Sequence, residues 1–473
     1  MKRENLILLA DAYKYAHHKF YYPGTTQIYS YLESRGGVFD ETIFFGLQYF
    51  LKEYLEGPTF TQQDLDEAEG FLQQVFGRDD VFDKSKFQYI LDKYNGYLPV
   101  KIKAVAEGTA VPIGNVLMTI ENTDPECYWL TNFLETLLMQ VWYPSTVATL
   151  SNQIRKVISR FYDETATPGA EAGIDFVLND FGFRGVSSVE SAQIGGAAHL
   201  ISFRGSDNLA GSGMAIQYYN AVKVYGLSIP ATEHSICTLL GREGELEIFK
   251  HVLRSFPRGT IACVSDSFNI FKACKEYWGE ELRDEILNRD GTLVIRPDSG
   301  DPIMTLLKIF EILFESFSFT INSKGYKVLP PQIRVIQGDG VNYDEIIKIY
   351  NALKTNSISA ENLAFGMGGA LLQKIDRDTQ QFALKCSSAV INGQEVDVAK
   401  SPTEMDAEGN ITSSFKKSKA GRLKLVKINE VFKTVNQHEH PELTDELHTV
   451  FENGKLVKTI SFEEVRANAN FKA

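Results

Sequence analysis

From Ile174 to Gly369 one pattern recurs: a short apolar run, a turn carrying Asp or Gly, then a longer stretch with helical spacing. The runs are IDFVLND, LISFRG, TIACVSD, TLVIRPD, IRVIQGD and LAFGMG. Short apolar runs alternating with helical stretches predict parallel strands joined by helical crossovers, because a strand covered on both faces needs no polar alternation. Helix starts are legible between them. Ser187 with Glu190 has the spacing of a capping box, and Asp301 followed by Pro302 reads as an N-cap with proline at the first helical position. Nearer the amino terminus, VKIKAVAEGTAVPIGNVLMTIE alternates apolar and polar residues around Gly108 and Gly114, which predicts antiparallel strands and turns. Cys127 to Tyr143 is apolar but broken by Asn132, Glu135 and Gln140, so it is expected as a buried helix, not a membrane span.

The polar residues that close the runs are Asp180 with Arg184, Asp207, Asp266, Arg296 with Asp298, Asp339, and glycines 366, 368 and 369. In an α/β barrel the loops after the strands form the active face. Asp and Gly also cap helices and form turns after any strand, so no single position decides. Six such ends, two with arginine, predict a site.

Within DFGFRGVSS, Arg184 and the amides of the following helix start would bind phosphate, and Phe181 either offers its ring to a flat heterocycle or belongs to a structural turn. IRPDSGDP repeats this arrangement with Arg296 and Asp298. QGDG (Gly338, Asp339) and GMGG (Gly368, Gly369) let backbone amides approach an anion closely. In PATEHS, His234 beside Glu233 is a candidate acid, base or phosphate acceptor, or else a structural histidine. His438 and His440 are spaced as strand ligands would be, with no third ligand nearby. No metal ligand set is assigned.

Composition narrows the classes. The chain has 473 residues, 44% hydrophobic, with 61 acidic against 48 basic side chains; that length suits two domains or one elaborated barrel, and that balance argues against gripping nucleic acid. Cys127, Cys237, Cys263, Cys274 and Cys386 include no C-x-x-C pair, so a reducing, cytoplasmic location is expected. The apolar run Leu6 to Ala10 is too short for a secretion signal. No membrane association is expected. Ser401 to Lys419, rich in Ser, Thr, Asp, Glu and Lys, is expected as a mobile surface loop.

DAYKYAHHKFYYPGTT, FFGLQYFLK, DFGFRGVSS, GSDNLAG, PATEHS, VSDSF, IRPDSGDP, QGDG, FGMGGALLQKIDRD, LKCSSAVING and ELHTVFENGK together resemble, in order and spacing, the nicotinamide phosphoribosyltransferase family. The resemblance runs from Asn5 to Phe471. It implies a type II phosphoribosyltransferase fold: a barrel-like parallel α/β domain over 146–384, and a mainly β domain from both chain ends, 1–145 with 385–473. It also implies a homodimer with active sites at its interface, and Mg²⁺ and ATP as helper and optional co-substrate. Phe181, with Tyr13 of the other chain, would sandwich nicotinamide, and Asp207 and Arg296 would bind its carboxamide. Phosphoribosyl pyrophosphate would meet Arg184, Asp298, Gly338, Asp339, Gly368, Gly369 and Arg377, with Arg35, Lys385 and Lys400 contributing across the dimer. His234 matches a histidine phosphorylated at the expense of ATP, supported by Asp266 and Glu233. Thr403 to Phe415 is longer than the family's form, which leaves Lys416 and Lys417 without an assigned role.

Rival readings are a nicotinate phosphoribosyltransferase, a glycoside hydrolase using Asp266 with Asp298 or Asp207, and a scaffold of this fold. An anion-binding rim of arginines and glycines is of no use to an enzyme acting on neutral sugars.

Overall fold

The computed structural model describes residues 4–401, 403–405, 411–413 and 418–469. Contacts divide the chain into two units: Met1–Thr149 with Gln217–Ala221 and Asp376–Ala473, and Leu150–Ile216 with Val222–Ile375.

The first unit is built on a seven-stranded sheet that interleaves both chain ends. Thr25–Ser34 lies between Val116–Asn122 and Phe382–Ile391 and pairs antiparallel with each. Val100–Ala104 shows the predicted alternation of buried and half-buried positions. It pairs with Val116–Asn122 on one edge and His448–Glu452 on the other. Gln217–Ala221 joins this unit through Tyr219, whose ring stacks on Phe45 and whose hydroxyl donates to the buried Glu107 carboxylate at 2.7 Å. Gly46 and Gln48 amides also donate to Glu107; a buried carboxylate needs such donors.

The second unit holds the predicted parallel sheet, in the order Gly205–Ser206, Leu178–Asp180, Leu363–Met367, Ile333–Gln337, Leu293–Arg296, Ile261–Val264. Its two edges are joined by one more stretch of backbone. Leu227 bridges in parallel to Gly205, and Ala231 to Ala262. The Ser206 amide donates to Leu227 O at 2.9 Å and the Ala262 amide to Pro230 O at 2.9 Å, so the sheet closes into a barrel through Leu227–Ala231. Closure leaves no exposed edge. Ala262, Val294 and Ile336 form a cluster of their own, with Phe181 and Ala364 packed against it. Outside, Pro302–Phe317 buries Leu306, Ile309, Phe310, Leu313 and Phe317, the spacing of one helical face. The Asp301 side chain accepts from the Met304 amide at 2.8 Å, with Pro302 in the first turn, as predicted.

Four expectations need correction. LISFRG is not a strand: a turn follows the Val189–His199 helix, and only Gly205–Ser206 pairs. The cap of that helix is Ser188, not Ser187, its hydroxyl accepting from Ser191 N at 3.0 Å. Cys127 to Tyr143 is broken into short helical turns before the long Trp142–Thr165 helix begins. Within the expected loop, Thr403–Met405 and Ile411–Ser413 pair as antiparallel strands; Lys416 and Lys417 lie outside the described residues.

Candidate active site

Parallel strands deliver their carboxyl ends to one face of the barrel, and the predicted polar groups gather there. Phe181 follows the Leu178–Asp180 strand, its amide donating to Met367 O at 3.0 Å. Its half-buried ring rests on the inner apolar cluster, and the Arg296 guanidinium lies 5.3 Å from the ring centroid. Gly366, on the neighbouring strand, makes this possible: a Cβ there would come within 2.0 Å of the Phe181 ring. The ring thus packs against the inner cluster and also lines an open hollow. That hollow, of about 930 Å³, is lined by Phe181, Phe183, Arg184, Asp207, Glu233 and Arg296 among others.

Arg296 donates to Asp298 Oδ1 through Nε at 3.2 Å and Nη2 at 2.9 Å. Gly338 lies against this pair; a Cβ would approach the guanidinium at 3.1 Å and Asp298 Oδ1 at 3.2 Å. Asp207 is exposed and accepts from the Ser228 hydroxyl, which comes from the segment that closes the barrel. Asp207 does not cap the following helix: Asn208 does, its Oδ1 accepting from Gly211 N at 3.3 Å.

His234 opens a short helical turn, and its Nε2 lies 3.1 Å from Asp266 Oδ1. Asp266 is the best-held acid of the rim. Its other oxygen accepts from the Asp298 amide at 3.1 Å and the Ser299 hydroxyl at 2.6 Å. The Asp266 side chain is 4% exposed and the His234 ring 49% exposed, so the carboxylate is buried while the imidazole faces solvent. Glu233 turns away from the ring toward its own neighbour, accepting from the Ser235 hydroxyl. Asp339 is exposed, and Gly368 leads into the short Gly369–Leu372 helix.

The remaining predicted residues lie in the β-rich unit. Burial pushes the Lys385 ammonium below its ordinary value, and the positive charges of Arg35, Lys400 and Arg377 act in the same direction against Glu135. These four cations therefore form one electrostatic cluster. Arg35 Nε is buried and without a hydrogen-bond partner among the described residues. Tyr13 is 59% exposed and shares a hollow with Lys385, Asn132 and Glu135. His438 and His440 lie in a turn after the Val431–Asn436 strand, and His440 contacts Glu442. Groups missed by the sequence reading are Ser228 and Asn208, each an unremarkable residue until its neighbour across the barrel is known.

A closed α/β barrel whose rim combines arginines, carboxylates and close-packed glycines offers a face on which an anionic substrate could bind. The nicotinate phosphoribosyltransferase family model matches residues 176–455, and the model for the N-terminal domain of nicotinamide phosphoribosyltransferase matches residues 5–102. The chain is 44% identical over 476 residues to the nicotinamide phosphoribosyltransferase of Xanthomonas campestris pv. campestris, covering 99% of this chain and 98% of that one. To the enzyme of the same name from Acinetobacter baylyi it is 31% identical over 503 residues, covering 98% and 97%. The chain belongs to the nicotinamide phosphoribosyltransferase family. Among solved structures, human nicotinic acid phosphoribosyltransferase matches with TM-score 0.55 at 16% identity, covering 98% of this chain and 93% of that one. A nicotinate-nucleotide pyrophosphorylase from Pyrococcus furiosus matches with TM-score 0.59 at 14% identity, covering 100% and 98%. These two establish the fold. Among the described residues, no helix is long and apolar enough to cross a membrane.

Proposed function

We propose that this protein transfers the 5-phosphoribosyl group of phosphoribosyl pyrophosphate to nicotinamide, giving nicotinamide mononucleotide and pyrophosphate. The observation that carries this reading is the Phe181 ring beside Arg296 and Asp207 in one hollow, with the nearby Asp298 bound to Arg296. A pyridine ring stacked on Phe181 would present its carboxamide to Asp207 and Arg296. The ring nitrogen forms its bond to the anomeric carbon as the carbon–oxygen bond to pyrophosphate breaks, and the electron pair leaves on pyrophosphate. Such a step needs positioning and charge stabilisation more than proton transfer. Arg184, Gly338, Gly368, Gly369 and Arg377 would bind phosphate oxygens, with Arg35, Lys385 and Lys400 supplying positive charge from the partner subunit of a homodimer.

Among the described residues no cluster of three or more His, Cys, Asp or Glu is placed to hold a metal. That suits Mg²⁺ arriving on the substrate, since this ion keeps several waters and uses one or two carboxylates. Asp298 and Asp339 would provide them, and the ion would neutralise leaving-group charge.

His234 would take the γ-phosphoryl group of ATP, releasing ADP, and water would later cleave the phosphorus–nitrogen bond. The Asp266 contact supports this by holding the imidazole through Nε2, which leaves its other nitrogen to face the phosphoryl group. The test is mononucleotide formation by the purified protein with Mg²⁺, phosphoribosyl pyrophosphate and either nicotinamide or nicotinate, with and without ATP. Product from nicotinamide, increased by ATP, is expected; product from nicotinate alone overturns the reading.

A further inference from the structure

Beneath the rim lies a buried polar pair that the reaction chemistry does not use. Asp180 is fully buried and Asn208 is 1% exposed. Asp180 Oδ1 accepts from the Gly182 amide at 2.7 Å, and Oδ2 accepts from Asn208 Nδ2 at 3.0 Å. Asn208 Nδ2 also donates to Ala192 O at 2.8 Å, while its Oδ1 caps the next helix. The backbone ties the same two places together, because the Asp207 amide donates to Asp180 O at 3.0 Å. Little slack remains around the pair. A Cβ on Gly196 would lie 2.5 Å from Asn208 Nδ2 and 3.0 Å from the Gly211 Cα, and a Cβ on Gly182 would lie 2.7 Å from Leu372.

Phe181 follows Asp180 and Asp207 precedes Asn208 in the chain. The pair therefore fixes the ring on which a flat base would stack relative to the carboxylate that would read its substituent. A plain apolar contact would hold the loops together but would not set their register, whereas hydrogen bonds in a low-dielectric site are directional and are costly to leave unmade. Burial raises the Asp180 carboxyl to about 6, opposed by its donors Gly182 and Asn208 and reinforced by the charge of Asp207. At neutral pH the pair thus holds a carboxylate next to the Asp207 charge, which an anionic base would also meet.

The geometry points to Asp180 and Asn208 as a positioning pair that sets the choice between the neutral and the anionic pyridine base, nicotinamide over nicotinate. This rests on the transferase reading above and deepens it. In Asp180→Asn the replacement amide can serve either Gly182 or Asn208 as acceptor, not both. Pairing it with Asn208→Asp restores the contact with reversed polarity and keeps the helix cap, but turns a carboxylate oxygen toward the Ala192 carbonyl that Asn208 Nδ2 donates to at 2.8 Å.

The experiment compares native protein, Asp180→Asn, Asn208→Ser and the Asp180→Asn/Asn208→Asp exchange. It measures KM and kcat for both bases, KM for phosphoribosyl pyrophosphate, and the nicotinamide Kd by calorimetry. Losing one buried charged hydrogen bond should raise the nicotinamide KM and Kd by about tenfold. The nicotinamide-to-nicotinate ratio of kcat/KM should fall comparably, while the phosphoribosyl pyrophosphate KM stays near native. The exchange should recover part of the ratio. Asn208→Ser retains a capping hydroxyl, so it reports on the pair should the charge variants fold poorly. Folded variants with a native ratio, or with all constants falling together, overturn the proposal. Native protein that makes no mononucleotide from nicotinamide sinks the transferase reading instead, and a native protein indifferent to the two bases sinks the positioning role alone.

Discussion

The barrel rim and the cationic cluster of the β-rich unit solve opposite electrostatic problems. On the rim the central charged groups already have partners: Arg296 with Asp298, Asp266 with His234 and Ser299, Asp207 with Ser228. Such a site is organised before substrate arrives, which favours charge development in a transition state. In the other unit Arg35, Arg377 and Lys400 act on Lys385 as like charges, against the opposite charge of Glu135. Among the described residues the ion pair made by one of these four, Arg377 with Asp378, is exposed on both sides and contributes little. Clustered like charges raise the free energy of the unliganded protein and are relieved by a bound anion. The rim is thus built to hold geometry, and the cluster is built to await charge.

His234→Ala should separate the rim from the rest most completely. ATP hydrolysis should be abolished while synthesis from phosphoribosyl pyrophosphate persists at a reduced rate, because the phosphate acceptor is lost and the base site stays. ATP turnover at the native rate in this variant contradicts the phosphohistidine role. The next largest effect uses one residue from each region. Tyr13→Ala and Phe181→Ala chains should each be nearly inactive, and random mixing should restore roughly a quarter of native activity if each site draws on two chains. No recovery on mixing would place each site within one chain.

Lys385→Ala tests the cluster alone. The KM for phosphoribosyl pyrophosphate should rise about tenfold, the loss expected for one charge-assisted contact. The thermal midpoint without ligand should hold or rise, and the stabilisation given by pyrophosphate should shrink. A lower unliganded midpoint with unchanged KM would make the lysine structural. The smallest effect concerns pH. The Asp180 carboxyl is raised from its ordinary 3.8 to about 6 by burial. A group raised on folding stabilises most below its unfolded value, so its contribution is full below about pH 4 and is lost as pH climbs through about 6. The midpoint difference between native protein and Asp180→Asn should change across that window and be flat above it; a difference constant from acid to neutral pH would show that Asp180 does not titrate there.

Much of this was legible before any coordinates. Fully covered parallel strands announce themselves as apolar runs, and their ends as Asp and Gly, so TIACVSD, TLVIRPD, IRVIQGD and LAFGMG located their strands directly. LISFRG misled because Leu200, Ile201 and Phe203 are buried in a turn, and burial alone does not distinguish a turn from a strand. Leu227–Ala231 closes the barrel with bridges rather than a regular ladder, and Pro230 breaks any strand pattern there. Asp266 was legible as a strand-end acid, yet its grip on Asp298 and Ser299 depends on strands far apart in sequence. The same holds for Gly366, which reads as a loop glycine but clears space for Phe181.

The central claim is that Asp207 reads a neutral carboxamide. Nicotinamide and nicotinate have nearly the same shape, so charge must separate them: Asp207 would accept from an amide and repel a carboxylate. The direct measurement is the ratio of kcat/KM for the two bases in native protein and in Asp207→Ser. Native protein should favour nicotinamide strongly, and the substitution should lower that ratio about tenfold or more as Arg296 becomes free to engage the nicotinate carboxylate. A ratio that stays at the native value in a folded Asp207→Ser protein would contradict the account.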